Sequence, residues 1–318
     1  MNKKTAIIIG GTGQYGLTLG SLLVKKKFRV ICSSRYNKKI NFFKTKYPRI
    51  NFLKLNIYNK NVIKSFILRY RPKIIFYFAG QSSPQISNKK KNITLKSNFY
   101  GCKNFLEIIS NNNLKIKFFN AASSEMYGHV KNKININTIK KPLNPYGLAK
   151  KKSFDLVKKF RIKKGILGYN AIMFNTESIL RNKNFLIPKI CLGAINAYKN
   201  KKKLVLNNII TTREWNWCEE QCKLLYEFSK KKPQDFILSN EKAYSIQQML
   251  IFAFRYFNLD YKDYVITRFK KLKKNEVKSK KSQCKKNFEK NNIHFKSNIF
   301  GKKLIYKMLK FYLNAKTI

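Results

Sequence analysis

A short β-branched run, Thr5–Ile9, leads directly into Gly10-Gly11-Thr12-Gly13-Gln14-Tyr15-Gly16 and then into the apolar stretch LTLGSLLV. A strand, a glycine-rich turn and a helix in immediate succession constrain this chain more than any other feature. The turn lets backbone come close to a diphosphate, and the first N–H groups of the helix meet its charge. A glycine string alone also fits a plain tight turn. The strand before it and the helix after it favour nucleotide binding.

The same alternation continues. After a helix over 14–26, strands are expected at 29–33, 51–55, 74–79, 117–122 and 170–174, with helices near 60–70, 98–111 and 145–163. Short buried strands separated by helices imply an α/β chain with a doubly wound parallel sheet, a Rossmann architecture. Beyond about 175 the pattern loosens to several short helices and one strand candidate at 235–239. The expectation is a cofactor-binding domain over 1–175, rejoined by about 210–240, with 176–318 mainly a smaller, interleaved C-terminal substrate domain. The lysine-dense run 271–286 reads as a loop or a mobile excursion.

Composition narrows the function classes. A net charge of +55 invites nucleic acid as a partner. Yet lysine runs through every segment instead of forming one stripe interleaved with stacking aromatics, which makes nucleic acid an unfavoured partner. The six cysteines form no CxxC pair, and only His129 and His294 are available, so neither a metal centre nor a histidine triad is expected. No apolar run reaches the roughly 18 residues of a membrane span, and a cytoplasmic location is the expectation.

Acid is scarce, which makes its placement informative. Glu107 and Glu125 are the only acidic side chains in residues 1–150. Glu107 lies in NFLEIISNN, where a solvated helix face accounts for it; Glu125 lies in Ser123-Ser124-Glu125, just past a central strand, where ligands bind in such sheets. A turn or cap residue is the bland alternative. Downstream, Asn144-Pro145 opens a helix that puts Tyr146 and Lys150 four residues apart on one face. An ammonium beside a phenol favours the phenolate and is expected to lower the proton affinity of Tyr146 toward that of a general base. Where an NAD enzyme carries an acid after its second strand, this chain has Ser33-Ser34-Arg35, and a guanidinium pairs with a 2′-phosphate, so NADP is the expected cofactor.

With these residues assembled, the chain resembles the extended short-chain dehydrogenase/reductases, and within them the GDP-mannose 4,6-dehydratase family. The resemblance runs from about residue 5 to 220 and rests on the glycine loop, Ala79-Gly80-Gln81-Ser82, Ser123-x-Glu125, the Tyr146-xxx-Lys150 pair, and three later stretches. These are Phe174-Asn175-Thr176-Glu177-Ser178, Asn184-Phe185 with Lys189-Ile190, and Arg213-Glu214-Trp215. It implies Ser123, Glu125, Tyr146 and Lys150 as catalytic residues. It implies a nicotinamide cofactor held by Gly10, Thr12, Gly13, Gln14, Gly16, Arg35, Asn56, Ile57, Ala79, Gln81, Tyr146, Lys150 and Arg181. A nucleotide-sugar substrate would be held by Ser82, Asn175, Lys189, Arg213 and Glu276, in a homodimer or homotetramer. Asn56, Ile93, Thr176 and Leu180 depart from the family, which usually has an aspartate, a tyrosine, a histidine and an arginine there. Net reduction or epimerisation of a sugar nucleotide, and a non-catalytic nucleotide- or RNA-binding protein, are the rival readings. Glu125 speaks for dehydration, because simple reduction needs no base at C5.

Overall fold

The computed structural model describes residues 3–269, 272 and 277–314. Its first half reads β1 (Thr5–Ile9), α1 (Gln14–Lys25), β2 (Arg29–Ser34), α2 (Asn37–Lys46), β3 (Ile50–Lys54), α3 (Lys60–Tyr70), β4 (Ile74–Tyr77), α4 (Pro84–Lys89), α5 (Lys91–Leu95), a π turn (Lys96–Tyr100), α6 (Gly101–Asn111), β5 (Lys117–Ser123), α7 (Pro145–Lys164) and β6 (Gly168–Met173). The second half reads β7 (Asn175–Glu177), α8 (Leu186–Asn200), β8 (Leu204–Leu206), β9 (Thr212–Trp217), α9 (Cys218–Phe228), β10 (Asp235–Leu238), β11 (Ala243–Ser245), α10 (Ile246–Arg255), α11 (Tyr261–Tyr264), β12 (Val265–Thr267), α12 (Lys285–Lys290) and α13 (Gly301–Asn314).

Seven strands form one sheet in the order β10-β6-β5-β4-β1-β2-β3, and every neighbouring pair is parallel. The strand order reverses between β1 and β4. The loops after those two strands therefore diverge and leave the crevice in which ligands of such sheets bind. Both faces are covered, as the unbroken apolar strands require. Side chains alternate along β1: Ala6 and Ile8 enter the core under α1 and α9, while Ile7 and Ile9 enter the core under α3 and α6. Burial of each isoleucine contributes about 1.5–3 kcal/mol.

The helix over 37–46 was not foreseen, because it buries only Ile40 and shows little apolar periodicity. The helix expected from 98 begins at Gly101, behind the π turn. α7 starts where local chemistry dictates: Asn144 caps it by accepting from Gly147 N at 2.8 Å, and Pro145 takes the first helical position. A buried polar chain fixes the strands beneath it. Asn120 donates to Asn170 at 2.9 Å, Asn170 to Asp235 at 2.9 Å, and Arg161 of α7 to the same Asp235 oxygen at 2.9 Å.

After β6 the chain builds a second apolar cluster from α8, α10 and α13 around Trp215 and Trp217. Between α8 and α10 it returns to the sheet through α9, which packs on α1, and β10, which pairs with β6. Acids fasten the basic C-terminal segment. Glu214 accepts from Ser282 N at 2.6 Å, Glu241 from the N–H groups of Cys284 and Lys285 at 2.5 and 2.9 Å, and Glu220 from those of Asn298 and Ile299 at 2.9 and 3.2 Å. Carboxylates accepting main-chain N–H groups make stronger bonds than neutral pairs. The described part of the run 271–286 is consequently no mobile excursion. Ser279 bridges Thr212, Ser282 bridges Ile134, and Val277, Lys280, Ser282 and Cys284 are buried.

Candidate active site

β5 delivers Ser123 at its carboxyl end, and a single 3-10 turn over Ser124–Met126 follows at once. The Ser123 hydroxyl accepts from Glu125 N at 3.2 Å and lies near enough to the Tyr146 phenol to lower its proton affinity. Tyr146 comes from the first turn of α7, and what lets that turn approach the Glu125 turn is a glycine. A Cβ on Gly147 would stand 2.4 Å from the Glu125 carbonyl oxygen, well inside contact distance. Strand end and helix start are thus locked together at the one residue that carries no side chain.

Glu125 is held from three sides. Asn144 Nδ2 donates to Oε2 at 3.1 Å, the Lys280 ammonium pairs with Oε1, and the Arg213 guanidinium adds positive charge nearby. Burial pushes the carboxyl up, but Lys280, Arg213 and Asn144 together outweigh it and hold Glu125 below the usual carboxylate range. It is ionised at neutral pH.

Tyr146 and Lys150 behave differently from the sequence expectation. Lys150 is buried, and its Nζ donates to the Ala121 carbonyl oxygen at 2.7 Å while standing 5.7 Å from the Tyr146 ring centroid. Burial lowers the ammonium to about 8. Burial likewise raises the Tyr146 phenol to about 12; Ser123 lowers it and the Glu125 charge raises it further. Desolvation outweighs a cation at that distance, so Lys150 alone does not make Tyr146 a phenolate.

The nicotinamide cradle is best tested at the glycine loop. Gly10 has φ +84 and passes so near β4 that a Cβ would lie 2.8 Å from Ala79 N, so packing accounts for it. Gly13 is exposed, has φ −87, and a Cβ there would meet nothing nearer than 3.4 Å. No neighbour within the protein requires a glycine at that helix N-cap. An exposed glycine ahead of the first N–H groups of α1 fits a diphosphate. Gly16 is buried in the first turn. Thr12 donates to Ser34 at 3.2 Å, and Arg35 and Asn56 lie exposed beyond β2 and β3. Arg35 stacks over Tyr36 at 4.5 Å, and the Ile57 carbonyl accepts from Asn104 at 3.1 Å.

Other expected ligands are engaged within the protein. Gln14 donates to the Thr176 carbonyl at 3.0 Å and accepts from Ser178 at 2.9 Å, which ties the loop to β7; Tyr15 meets the Thr176 hydroxyl at 2.8 Å. Arg181 lies over Phe185 at 3.5 Å and 3.7 Å from Glu177. Gln81 donates to the Ser83 carbonyl at 2.7 Å, and its Oε1 is buried without a hydrogen-bond partner. Ser82 and Lys189 are exposed, and Asn175 opens β7 with its carbonyl accepting from Asn216 at 3.0 Å. Arg213 donates to the Thr212 and Val277 carbonyls, each at 2.8 Å. Glu276 lies outside the described residues.

Three residues here were not singled out from the sequence. Asn144 was legible as a helix cap, but its second hydrogen bond was not. Asn98, in the π turn, shapes the loop after β4 by donating to the Gln81 carbonyl at 3.0 Å. Lys280 carried no signal at all among 69 basic residues.

A family profile described as GDP-mannose 4,6 dehydratase matches residues 7–304. GDP-mannose 4,6 dehydratase 1 of Arabidopsis thaliana is 26% identical over 301 residues, covering 89% of this chain and 83% of its own. GDP-mannose 4,6-dehydratase of Vibrio cholerae is 28% identical over 265 residues, covering 79% and 71%. Among solved structures, dTDP-glucose 4,6-dehydratase from Streptomyces venezuelae, determined with NAD bound, superposes with a TM-score of 0.85 over 98% of both chains at 14% identity. A UDP-glucuronic acid 4-epimerase from Bacillus cereus, also with NAD, superposes at 0.83 over 96% of this chain and 99% of that one, at 14% identity. The match across nearly the whole chain and the shared doubly wound fold show that this protein belongs to the GDP-mannose 4,6-dehydratase family, enzymes of the hydro-lyase type that act on nucleotide sugars with a nicotinamide cofactor.

Proposed function

We propose that the chain converts GDP-mannose to GDP-4-keto-6-deoxymannose with NADP. One observation carries the reading: an ionised Glu125 carboxylate stands beside Ser123 and the Tyr146 phenol, so two proton acceptors of different strength share one site. When bound, a nicotinamide would supply the acceptor and later the donor of hydride, and positive charge in its oxidised form. Tyr146 takes the proton of the C4 hydroxyl, and Ser123 donates a hydrogen bond to that oxygen. Lys150 adds positive charge behind Tyr146 and would hold a ribose. Once C4 is a ketone, the neighbouring C5 proton is acidic, and Glu125 removes it as hydroxide or water leaves C6. Arg213, Lys189, Asn175 and Ser82 offer donors for the nucleotide diphosphate, and the family resemblance alone assigns Glu276 to a ribose.

The preference for NADP rests on Arg35 and on the absence of an acid at the end of β2. Purified protein incubated with GDP-mannose and a catalytic amount of NADP, without added NADPH, is expected to release a 4-keto product with no net change in cofactor; a parallel reaction with NAD should be slower. NADPH consumption with a keto sugar, and no product from GDP-mannose, would instead identify a reductase. Assembly as a homodimer or homotetramer is part of the same proposal and is read by light scattering.

A further inference from the structure

Lys280 is 1% exposed, in a chain whose other lysines lie overwhelmingly in solvent. An ammonium taken out of water is strongly disfavoured unless a partner offsets the loss of hydration, so burial at this position calls for an explanation. Its ion-pair partner is Glu125. The segment that carries it is fastened on both sides of Lys280. Ser279 bridges Thr212, Lys280 N donates to the Thr212 carbonyl at 3.2 Å, Ser282 bridges Ile134, and Glu214 receives both the N–H and the hydroxyl of Ser282. The charge is therefore delivered to a defined point, not by a side chain searching from the surface. Opposite it, Asn144 binds the other carboxylate oxygen.

We propose that Lys280 is a positioning residue for the base: with Asn144 it clamps the Glu125 carboxylate from both oxygens and supplies the counter-charge that keeps a buried base in place beside Ser123 and Tyr146. The charged and titratable groups facing Glu125 are Lys280 and Arg213 from the C-terminal half and Tyr146 from α7. A staple that merely joined two parts of the chain would leave the proton affinity of Glu125 of no consequence. A positioning cation sets it. Burial raises the carboxyl, and Lys280 is the first group that reverses this. The inference rests on Glu125 acting as the base, but the clamp itself is testable without turnover.

The measurement is a titration of Glu125 in the intact protein, by NMR of carboxyl-labelled glutamate, with Glu125→Gln identifying the signal. In the unaltered protein Glu125 should titrate below the ordinary glutamate value. In Lys280→Met it should rise by about 1–3 pH units, the usual effect of one close opposite charge, and Lys280→Arg should restore it. With substrate, the acid limb of kcat/KM should move by the same amount in Lys280→Met, and exchange of the C5 proton with solvent should slow more than C4 oxidation. An unchanged Glu125 titration in Lys280→Met overturns the proposal. So does a value in the unaltered protein at or above that of ordinary glutamate, which covers the case in which Lys280→Met does not fold. If GDP-mannose is not turned over yet the titration shifts as described, the clamp stands and the substrate reading fails.

Discussion

Asn144 caps the helix that carries Tyr146 and, through its Nδ2, binds Oε2 of Glu125 at 3.1 Å. One side chain thereby sets the start of α7 and the orientation of the proposed C5 base. Asn144→Ala should lose the cap and cost about 0.5–2 kcal/mol, read as a lower Tm. Asn144→Asp keeps a good cap but places a second carboxylate against Glu125. Its Tm should stay near that of the parent while product formation falls, and melting curves beside initial rates separate the two effects.

Tyr146→Phe removes the acceptor for the C4 hydroxyl proton and leaves the ring packing in place. Loss of a positioned general base costs about 10²–10⁴ in rate. Stopped-flow absorbance of the reduced nicotinamide should show hydride transfer slowed by that factor, and full activity would remove Tyr146 from the mechanism.

Glu125→Gln should act after that step. C4 oxidation needs no base at C5, so reduced cofactor should accumulate on the enzyme in near-stoichiometric amount while keto product is lost. Rapid formation of 4-keto-6-deoxy sugar by this variant would assign the C5 proton elsewhere.

The pH dependence follows from Lys150. Its proton affinity is depressed by burial to about 8, so the ammonium is present below that pH and lost above it. Positive charge near Tyr146 therefore declines as pH rises through about 8, and kcat/KM for C4 oxidation should fall on the basic side from there. Lys150→Arg, which stays protonated, should carry the fall to higher pH at some loss in rate.

Glu177 gives a stability prediction independent of turnover. It is buried in β7, its Oε2 has no hydrogen-bond partner, and burial raises it to about 7, with Arg181 opposing. A raised carboxyl binds more protons folded than unfolded between about 4.5 and 7, so its contribution is fully present below that window and lost as pH rises through it. The protein should lose up to about 3 kcal/mol from this group on going from pH 4.5 to 8, at 1.36 kcal/mol per pH unit. Glu177→Gln should be the more stable protein at pH 8 and show a flatter profile in denaturant titrations.

Much of this was legible in the sequence because it is local. Strand, glycine turn and helix follow one another in β1 and α1 with no distant partner needed, and parallel pairing follows from alternating strands and helices. Asn144-Pro145 announces the start of α7, and the scarcity of acid makes Glu125 conspicuous. Local rules failed where tertiary contacts decide. α2 buries too little to show a period, and the π turn at Lys96–Tyr100 is set by Asn98 reaching Gln81, 17 residues away.

The amino-acid sequence by itself determined the doubly wound architecture, the order of the site elements and the scarcity of acid that makes Glu125 conspicuous. The tertiary structure alone decided the electrostatics. Lys150, four residues from Tyr146, turns its ammonium to the Ala121 carbonyl and does not by itself make the phenol a phenolate, whereas Lys280, 155 residues from Glu125, is carried into contact with it. Sequence spacing ranks those two lysines in the opposite order. Charge interactions depend on distance in space and on burial, and both are settled by how the C-terminal segment folds back across β9.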